Sequence, residues 1–185
     1  MTVWTGAVLT GGASLRMGRD KATLEVGGEA MAVRVANALQ EAGAAELFYV
    51  GGETAGTGLR CVPDEHPGAG PLGGLITALH RARHDLVVVL ACDLVDPSID
   101  AIVRLVDRVD RAPRHDARIP VVDGRPQWLH GAWFRARCLD QLRVVFEAGE
   151  RSIHRAVTGL RLDLAEDSGP GFADADAPGD ITGGR

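Results

Sequence analysis

Apolar residues follow two alternating patterns along the first 110 positions of the chain. Short continuous runs predict buried strands at Val3–Leu9, Leu47–Val50, Leu59–Val62 and Leu86–Leu90. Between them, apolar residues recur three or four positions apart and predict helices, the first through Met31, Val35 and Leu39. The second helix starts at Pro71 and the third follows Pro97. Strands that alternate with helices predict an α/β domain with a mainly parallel sheet between helical layers.

The pattern changes in the second part of the chain. Two strand-like segments, Arg118–Val122 and Trp128–Phe134, flank the turn dipeptide Asp123-Gly124 and predict a hairpin. A further helix carries Leu139, Leu142 and Val145, and a last strand covers Leu160–Leu164. No linker or repeat interrupts the 185 residues, so we expect one domain over residues 1–185.

Composition narrows the class of protein. The net charge is −5, without a run of basic residues, which argues against a nucleic-acid partner. No run of about 18 apolar residues predicts a membrane span, and the first residues do not resemble a signal peptide. The cysteines, Cys61, Cys92 and Cys138, lie far apart and are expected to be reduced, small core residues of a cytoplasmic protein.

The loop after the first strand carries the clearest chemical signal. Gly11 and Gly12 let the backbone approach a ligand closely, so their N–H groups can hold phosphate oxygens. Arg16 and Lys21 add two cations to the same loop. The alternative is a surface loop with solvated charges. We favour an anion site because glycines, cations and a preceding buried strand occur together.

Asp93 follows the run Leu86–Leu90 and is therefore expected at the same edge of the sheet as the glycine loop. A carboxylate beside a phosphate site suits Mg²⁺, which typically takes one or two carboxylates together with phosphates and waters. The alternative for Asp93 is a strand-end or helix-cap aspartate. Asp96 is the better candidate for a cap, because Pro97 stands at an expected first helical position.

The sequence alone leaves the roles of three further aspartates open. Asp174 and Asp176 face one side if their segment is extended, so that one of them can be a second metal ligand, or both can be charges of a tail. Asp64 follows the third strand, where it can contact a nucleoside or orient the turn at Pro63.

Other phosphate-binding patterns fit the sequence poorly. Gly12 and Gly18 are spaced wrongly for the pattern G-x-x-x-x-G-K-[ST]. Gly68, Gly70 and Gly73 spell G-x-G-x-x-G, with Asp93 twenty residues later. The dinucleotide fingerprint requires a tight turn directly after a strand, and residues 63–67 intervene here.

The motif Leu9-Thr10-Gly11-Gly12, with Ser14, Arg16-Met17-Gly18 and Asp20-Lys21, resembles the nucleotidyltransferases of molybdenum cofactor biosynthesis, and among them the guanylyltransferases. Further segments in the family's order extend the resemblance over nearly the whole chain: Gly70–Leu75, Cys92-Asp93, Gly149-Glu150-Arg151 and Asp174–Pro178.

The resemblance implies a three-layer α/β/α fold similar to glycosyltransferase-A enzymes, with a mainly parallel mixed sheet. It also implies Mg²⁺ as cofactor and GTP and molybdopterin as substrates; Gly12 and Asp20 resemble the guanylyl branch rather than the cytidylyl branch. Catalysis is then expected from Arg16, Lys21 and Asp93, and metal binding from Asp93 and Asp176. The nucleotide-binding residues implied are Leu9, Thr10, Gly11, Gly12, Lys21, Asp64, Gly73 and Asp93.

The chain departs from the family's pattern at several positions. Thr10 replaces the usual alanine, Gly51 stands near a frequent asparagine, and Val95 stands where proline is usual. Asp174 and Asp176 replace two asparagines. Three alternatives therefore stay open: a cytidylyl or sugar-phosphate nucleotidyltransferase of the same fold, a non-catalytic nucleotide-binding homologue, and, more distantly, a dinucleotide-dependent oxidoreductase.

Overall fold

The structure is a computed structural model, and it describes residues 2–11, 25–26, 28–52, 58–94, 96–111, 114–166 and 170–172. Within these residues the strands are β1 (Trp4–Leu9), β2 (Glu25–Val26), β3 (Glu29–Ala30), β4 (Glu46–Val50), β5 (Arg60–Val62), β6 (Leu86–Ala91), β7 (Ala117–Val122), β8 (Arg125–Pro126), β9 (Gly131–Phe134) and β10 (Leu162–Ala165). The helices are α1 (Met31–Glu41), α2 (Pro71–Arg81), α3 (Ile99–Arg111), α4 (Arg135–Glu147) and α5 (Ile153–Ala156).

The main sheet has the strand order β10-β7-β9-β6-β1-β4-β5, with β8 paired to β7. β1 lies in the middle of its parallel part, between β6 and β4, and β5 extends that part beyond β4. β9 runs antiparallel to both of its neighbours, β6 and β7. The predicted mainly parallel, mixed sheet is therefore confirmed, and among the described strands of this sheet β9 and β8 are the ones that run against their neighbours.

Helices cover both faces of the sheet, as the sequence pattern predicts. Val87 and Val89 of β6 point into the core beneath α2 and α4, whereas Val88 and Leu90 point into the core beneath α1 and α3. All four side chains are fully buried. A central parallel strand with helices on both faces needs apolar residues at every position, and this explains the continuous run of valines and leucines.

Three predictions about local structure were wrong. The expected strand from Trp128 begins only at Gly131, because residues 128–130 form a turn in which the His130 N–H donates to the Gln127 carbonyl (3.0 Å). α3 begins after Ser98 rather than Asp96; the Ser98 hydroxyl accepts a hydrogen bond from the Ala101 N–H (3.3 Å) and caps the helix. Cys61 is exposed rather than buried, since β5 lies at the edge of the sheet.

The two other cysteines are core residues, as expected. Cys92 and Cys138 are buried and unbridged, and burial raises the pKa of the Cys138 thiol to about 12. A thiol with that pKa stays protonated near neutrality and is therefore a poor nucleophile or metal ligand. Among the described residues, no helix is both long and apolar enough to cross a bilayer.

Candidate active site

The site is built where the carboxyl ends of the parallel strands meet. The backbone N–H groups of Thr10 and Gly11 both donate to the Val50 carbonyl at the end of β4, at 3.0 and 3.2 Å. On the other side, the Cys92 N–H donates to the Leu9 carbonyl (3.1 Å). These bonds hold the loops after β1, β4 and β6 together at one rim. In open α/β sheets this rim is where ligands bind.

Thr10 fixes the rim with its side chain. Its hydroxyl, which is buried, lies 3.0 Å from the Val50 carbonyl and 2.8 Å from the Gly51 carbonyl, and one proton serves both acceptors. The threonine that replaces the usual alanine therefore ties the glycine loop to the loop after β4. The predicted nucleotide contact of Thr10 stays a prediction.

Gly11 and Gly51 touch each other through their backbones. A Cβ atom built on Gly51 would lie 2.8 Å from the Gly11 Cα and 2.9 Å from its nitrogen. Gly51 also has a φ of +77°, which L-residues with side chains rarely adopt. Glycine at position 51 thus allows the two loops to approach to within van der Waals contact at the start of the predicted phosphate loop.

The remaining part of the predicted phosphate loop, with Gly12, Arg16 and Lys21, lies outside the described residues, and so do Asp174 and Asp176. Their roles stay predictions. In the described part of the chain, no three His, Cys, Asp or Glu side chains cluster as a metal site. Asp93 is thus the described candidate for holding Mg²⁺, and one carboxylate suits an ion that takes most of its ligands from phosphates and water.

Asp93 lines a cleft of about 400 Å³ beside this rim. The floor is formed by Ala91 at the end of β6 and by Pro71 at the start of α2. Two segments form the walls, residues 126–130 between β8 and β9, and residues 151–154 at the start of α5. The cleft thus joins the predicted metal ligand to parts of the chain that lie at least 33 residues further along the sequence.

Three side chains of the cleft walls are not among the site residues predicted from the sequence. Trp128, Arg151 and His154 all line the cleft with Asp93. Arg151 belongs to the Gly149-Glu150-Arg151 segment, which carried the family resemblance without an assigned role. Trp128 and His154 gave no separate signal, since an aromatic residue in an apolar segment is usually interpreted as core.

The segment before α5 is held by Glu150. Its carboxylate accepts hydrogen bonds from the backbone N–H groups of Arg151 (2.8 Å) and Ser152 (2.7 Å), and from Arg155 (2.7 and 3.0 Å). The hydrogen bonds from Arg155, followed by those from the backbone, lower the pKa of Glu150 to about 2. Glu150 therefore remains charged at neutral pH and fixes the backbone that carries Arg151.

The Arg151 side chain is also held in place. Its Nη1 donates to the carbonyls of Phe146 (2.7 Å) and Glu150 (2.8 Å), and its guanidinium carbon lies 3.9 Å from the centre of the Phe146 ring. Stacking on an aromatic face leaves the edge of a guanidinium able to bind an anion. Arg151 is thus a positioned cation at the wall of the cleft that Asp93 also lines.

Asp64 and Gly73 have structural roles in the described chain. Asp64 accepts hydrogen bonds from the His66 N–H (2.9 Å) and from the Thr77 hydroxyl (3.0 Å), so it orients the turn after β5. A Cβ on Gly73 would lie 2.9 Å from the His66 Cβ, and α2 can therefore pack against this turn only with glycine there. Their predicted contacts with a nucleotide stay predictions.

The glycines of the G-x-G-x-x-G pattern do not form a dinucleotide fingerprint. Residues 63–70 separate the end of β5 from the start of α2, where the fingerprint requires a tight turn. Gly70 is the residue before Pro71 and adopts a φ of +80° at the start of the helix. These glycines shape the entry into α2, and the oxidoreductase alternative loses its main support.

Comparison with known proteins decides the family. The profile of the MobA-like NTP transferase domain matches residues 6–163. The chain belongs to this family. A probable molybdenum cofactor guanylyltransferase from Chloroflexus aggregans is 34% identical over 165 residues, which cover 84% of this chain and 77% of that relative. One from Pelotomaculum thermopropionicum is 49% identical over 92 residues, and there the chain spans only 45% of the relative's length.

Solved structures agree on the fold of this MobA-like NTP transferase. A molybdopterin-guanine dinucleotide biosynthesis protein A from Archaeoglobus fulgidus superimposes with a TM-score of 0.78 at 21% identity, over 96% of this chain and 94% of the other. The three-layer nucleotidyltransferase fold predicted from the sequence is thereby confirmed.

Proposed function

We propose that this MobA-like NTP transferase transfers GMP from GTP to the terminal phosphate of molybdopterin in a Mg²⁺-dependent reaction, with molybdopterin guanine dinucleotide and pyrophosphate as products. The observation that carries the proposal is the placement of Asp93. Its carboxylate lines a cleft next to the rim at which the glycine loop leaves β1, and the Cys92–Leu9 hydrogen bond connects the two loops. The names of the relatives support the same reaction.

GTP is proposed as the nucleotide because Gly12 and Asp20 resemble the guanylyl branch of the family. Cytidylyl transfer and sugar-phosphate activation use the same fold and remain the alternatives for base and acceptor. A non-catalytic homologue remains the alternative of a different class.

The reaction needs no general base on the protein. A phosphate monoester has its second pKa near about 6, so the acceptor phosphate is mostly a dianion at neutral pH. One of its oxygens forms a bond to the α-phosphorus of GTP while the bond between that phosphorus and the bridging oxygen to the β-phosphate breaks. Pyrophosphate leaves with the electron pair. The obstacle is the approach of two anions, and the protein has to supply positive charge and orientation.

Residues of this chain are proposed to supply both. Arg16 and Lys21 would bind the phosphates of GTP and stabilise the charge that develops on pyrophosphate. Arg151, held on Phe146, faces the same cleft as Asp93 and would bind the acceptor phosphate. Asp93 and Asp176 would hold Mg²⁺, which when bound neutralises phosphate charge. The binding of both substrates along one cleft sets the reacting atoms in line.

Calorimetric titration with GTP, CTP and ATP, each with Mg²⁺, tests the nucleotide. We expect selective binding of GTP. Selective binding of CTP would make CTP the nucleotide substrate instead of GTP. If none of the three nucleotides binds, the proposed function is contradicted. Binding of GTP without turnover in the presence of molybdopterin would favour the non-catalytic homologue.

Variants test the assigned residues under saturating GTP. We expect Lys21→Ala to lower turnover about a hundredfold, the scale of losing one preorganised charged donor. Asp93→Ala should abolish Mg²⁺-dependent turnover. Asp96→Ala is the matched control, because Asp96 is an exposed aspartate three residues away that does not line the cleft. Equal Mg²⁺ titration curves for the Asp93 and Asp96 variants would refute the metal assignment.

A further inference from the structure

We propose that Trp128 and His154 form an aromatic wall of the cleft that contacts the pterin ring of the acceptor and thereby selects a pterin phosphate over other phosphate monoesters. This inference rests on the proposed function, because it names the part of the same site that recognises the acceptor. Neither the family resemblance nor the sequence pattern assigned a role to these two side chains.

The position of Trp128 distinguishes it from the other tryptophans of the chain. Trp4 and Trp133 are buried in the two cores, with 3% and 0% of their surface exposed. Trp128 is only half-buried and lines the cleft in the turn between β8 and β9. A large aromatic surface at the wall of a cleft is a common means of binding flat ligands, since it offers contact area at little cost in side-chain entropy.

His154 contributes the second ring from a different element. The centres of the Trp128 and His154 rings lie 5.8 Å apart, and their planes are inclined by 57°. The two rings therefore form an angled surface rather than a closed stack. A bicyclic ring that lies on Trp128 can contact the edge of His154 at the same time.

Both rings stand on backbone that is fixed by hydrogen bonds. In the Trp128 turn, the Gln127 N–H donates to the Pro120 carbonyl (2.8 Å), and the His130 N–H donates to the Gln127 carbonyl. On the other wall, the Glu150 carboxylate accepts a hydrogen bond from the Ser152 N–H (2.7 Å) at the start of the segment that leads to His154. Preorganised walls lose little entropy on binding, so these contacts can translate into affinity.

The cleft as a whole fits a ligand with a flat apolar part and an anionic part. Pro126, Leu129 and Ile153 add apolar surface beside the two rings, whereas Arg151 and Asp93 lie in the same cleft and are charged. Its volume of about 400 Å³ is in the range of small-molecule sites. A pterin with a phosphate ester has this distribution of polarity, with the phosphate directed to Arg151 and the metal aspartate.

The test is the affinity for 6-hydroxymethylpterin monophosphate, measured by calorimetry with the wild-type protein, Trp128→Leu and Trp128→Phe. We expect the leucine variant, which keeps apolar volume but has no aromatic face, to bind about tenfold more weakly, a loss of about 1.4 kcal/mol. The phenylalanine variant should stay within about threefold of wild type. Affinity for GTP should be equal in all three proteins.

Each other outcome overturns the inference. Equal pterin affinities for wild type and Trp128→Leu would show that the Trp128 ring does not contact the acceptor. Absence of pterin binding by the wild type would show that the cleft does not bind the pterin. Weaker binding of GTP by Trp128→Leu would assign the ring to the nucleotide. Failure of the wild type to bind GTP instead contradicts the proposed function. Circular dichroism and unfolding midpoints show whether each variant is folded, so that a lost contact can be distinguished from a lost fold. Trp128→Phe serves as the control that keeps an aromatic ring at this position.

Discussion

The contact between Gly11 and Gly51 can be tested by adding a single methyl group. In Gly51→Ala the new Cβ lies 2.8 and 2.9 Å from the Gly11 Cα and nitrogen. Real Cβ atoms essentially never approach other atoms below 3.0 Å. Both obstructing atoms are backbone, so no side chain can rotate away. One of the two loops has to move, and the Gly11 side leads into the predicted phosphate loop.

The expected cost has two parts. An L-residue with a side chain at a φ of +77° costs about 1–2 kcal/mol relative to glycine. Forcing an extra methyl group into packed surroundings costs about 1–3 kcal/mol more. Gly124→Ala isolates the first part, because Gly124 has nearly the same φ of +73° and nothing lies within 4 Å of its added Cβ. We expect a loss of about 1 kcal/mol for Gly124→Ala and about 3 kcal/mol for Gly51→Ala.

Urea unfolding and calorimetric titration with GTP measure the two consequences separately. Gly124→Ala should bind GTP like the wild type, since Gly124 neither lines the cleft nor takes part in the hydrogen bonds that hold the rim at Gly11. Gly51→Ala should bind GTP about tenfold more weakly, because the loop that starts at Gly11 is displaced. If the two variants lose the same stability and keep the same GTP affinity, the contact between the loops does not position the nucleotide site and the reasoning fails.

Three further variants test other parts of the structure. Arg161 donates hydrogen bonds that lower the pKa of Asp116 from its ordinary value, so Asp116→Asn should lose about 2 kcal/mol at pH 7. The charged Asp116 stabilises the fold at pH values above the ordinary aspartate pKa, and this contribution is lost as the pH falls through the lowered pKa of the folded state. In urea unfolding, the stabilities of wild type and Asp116→Asn should therefore converge at acidic pH, and a difference that does not change with pH would contradict this account. Glu150→Gln should raise the KM for the acceptor substrate about fivefold and leave kcat and GTP affinity unchanged. The reason is that Arg155 and the backbone before α5 then donate to a neutral amide instead of a carboxylate. A change confined to GTP binding would refute the positioning role of Glu150. Leu75→Ala, at a fully buried position, should lose about 3 kcal/mol in urea unfolding, and a loss below 1 kcal/mol would contradict its core position.

The sequence predicts the parallel part of the fold because local and long-range requirements agree there. The run from Leu86 to Leu90 has no polar residue, and only a strand covered on both faces tolerates that. Pro71 starts α2 as expected, since its fixed φ suits the first turn of a helix. The order of strands and helices predicts the shared rim, and the position of Asp93 just after β6 places its carboxylate there.

The cleft walls depend on contacts that no local pattern encodes. Trp128 and Leu129 extend the apolar sequence of β9 towards the N-terminus, yet residues 128–130 form a turn closed by the hydrogen bond from the His130 N–H to the Gln127 carbonyl. The Gln127 N–H in turn donates to the Pro120 carbonyl of β7. Trp128 and His154 are 26 residues apart and meet only after α4 has folded back. Cys61 shows the same limit, because exposure depends on whether another strand pairs beyond β5.

The reversed direction of β9 explains how the site obtains its second wall. In a purely parallel sheet only strand ends reach the rim, whereas β9 runs antiparallel to β6 and brings its beginning there. Gly131 pairs with Val89, two residues before the end of β6, so the turn before Gly131 lies beside Asp93. A Cβ on Gly131 would lie 2.6 Å from the Ile119 Cδ1 and 2.9 Å from the Trp133 Nε1, so a larger residue at this pairing would require these side chains to shift. The glycine loop is held by β4 and β6, whereas the Trp128 turn is held by β7. Substitutions in residues 126–130 can therefore change the proposed acceptor surface while the rim at Leu9 and Gly11 keeps its hydrogen bonds.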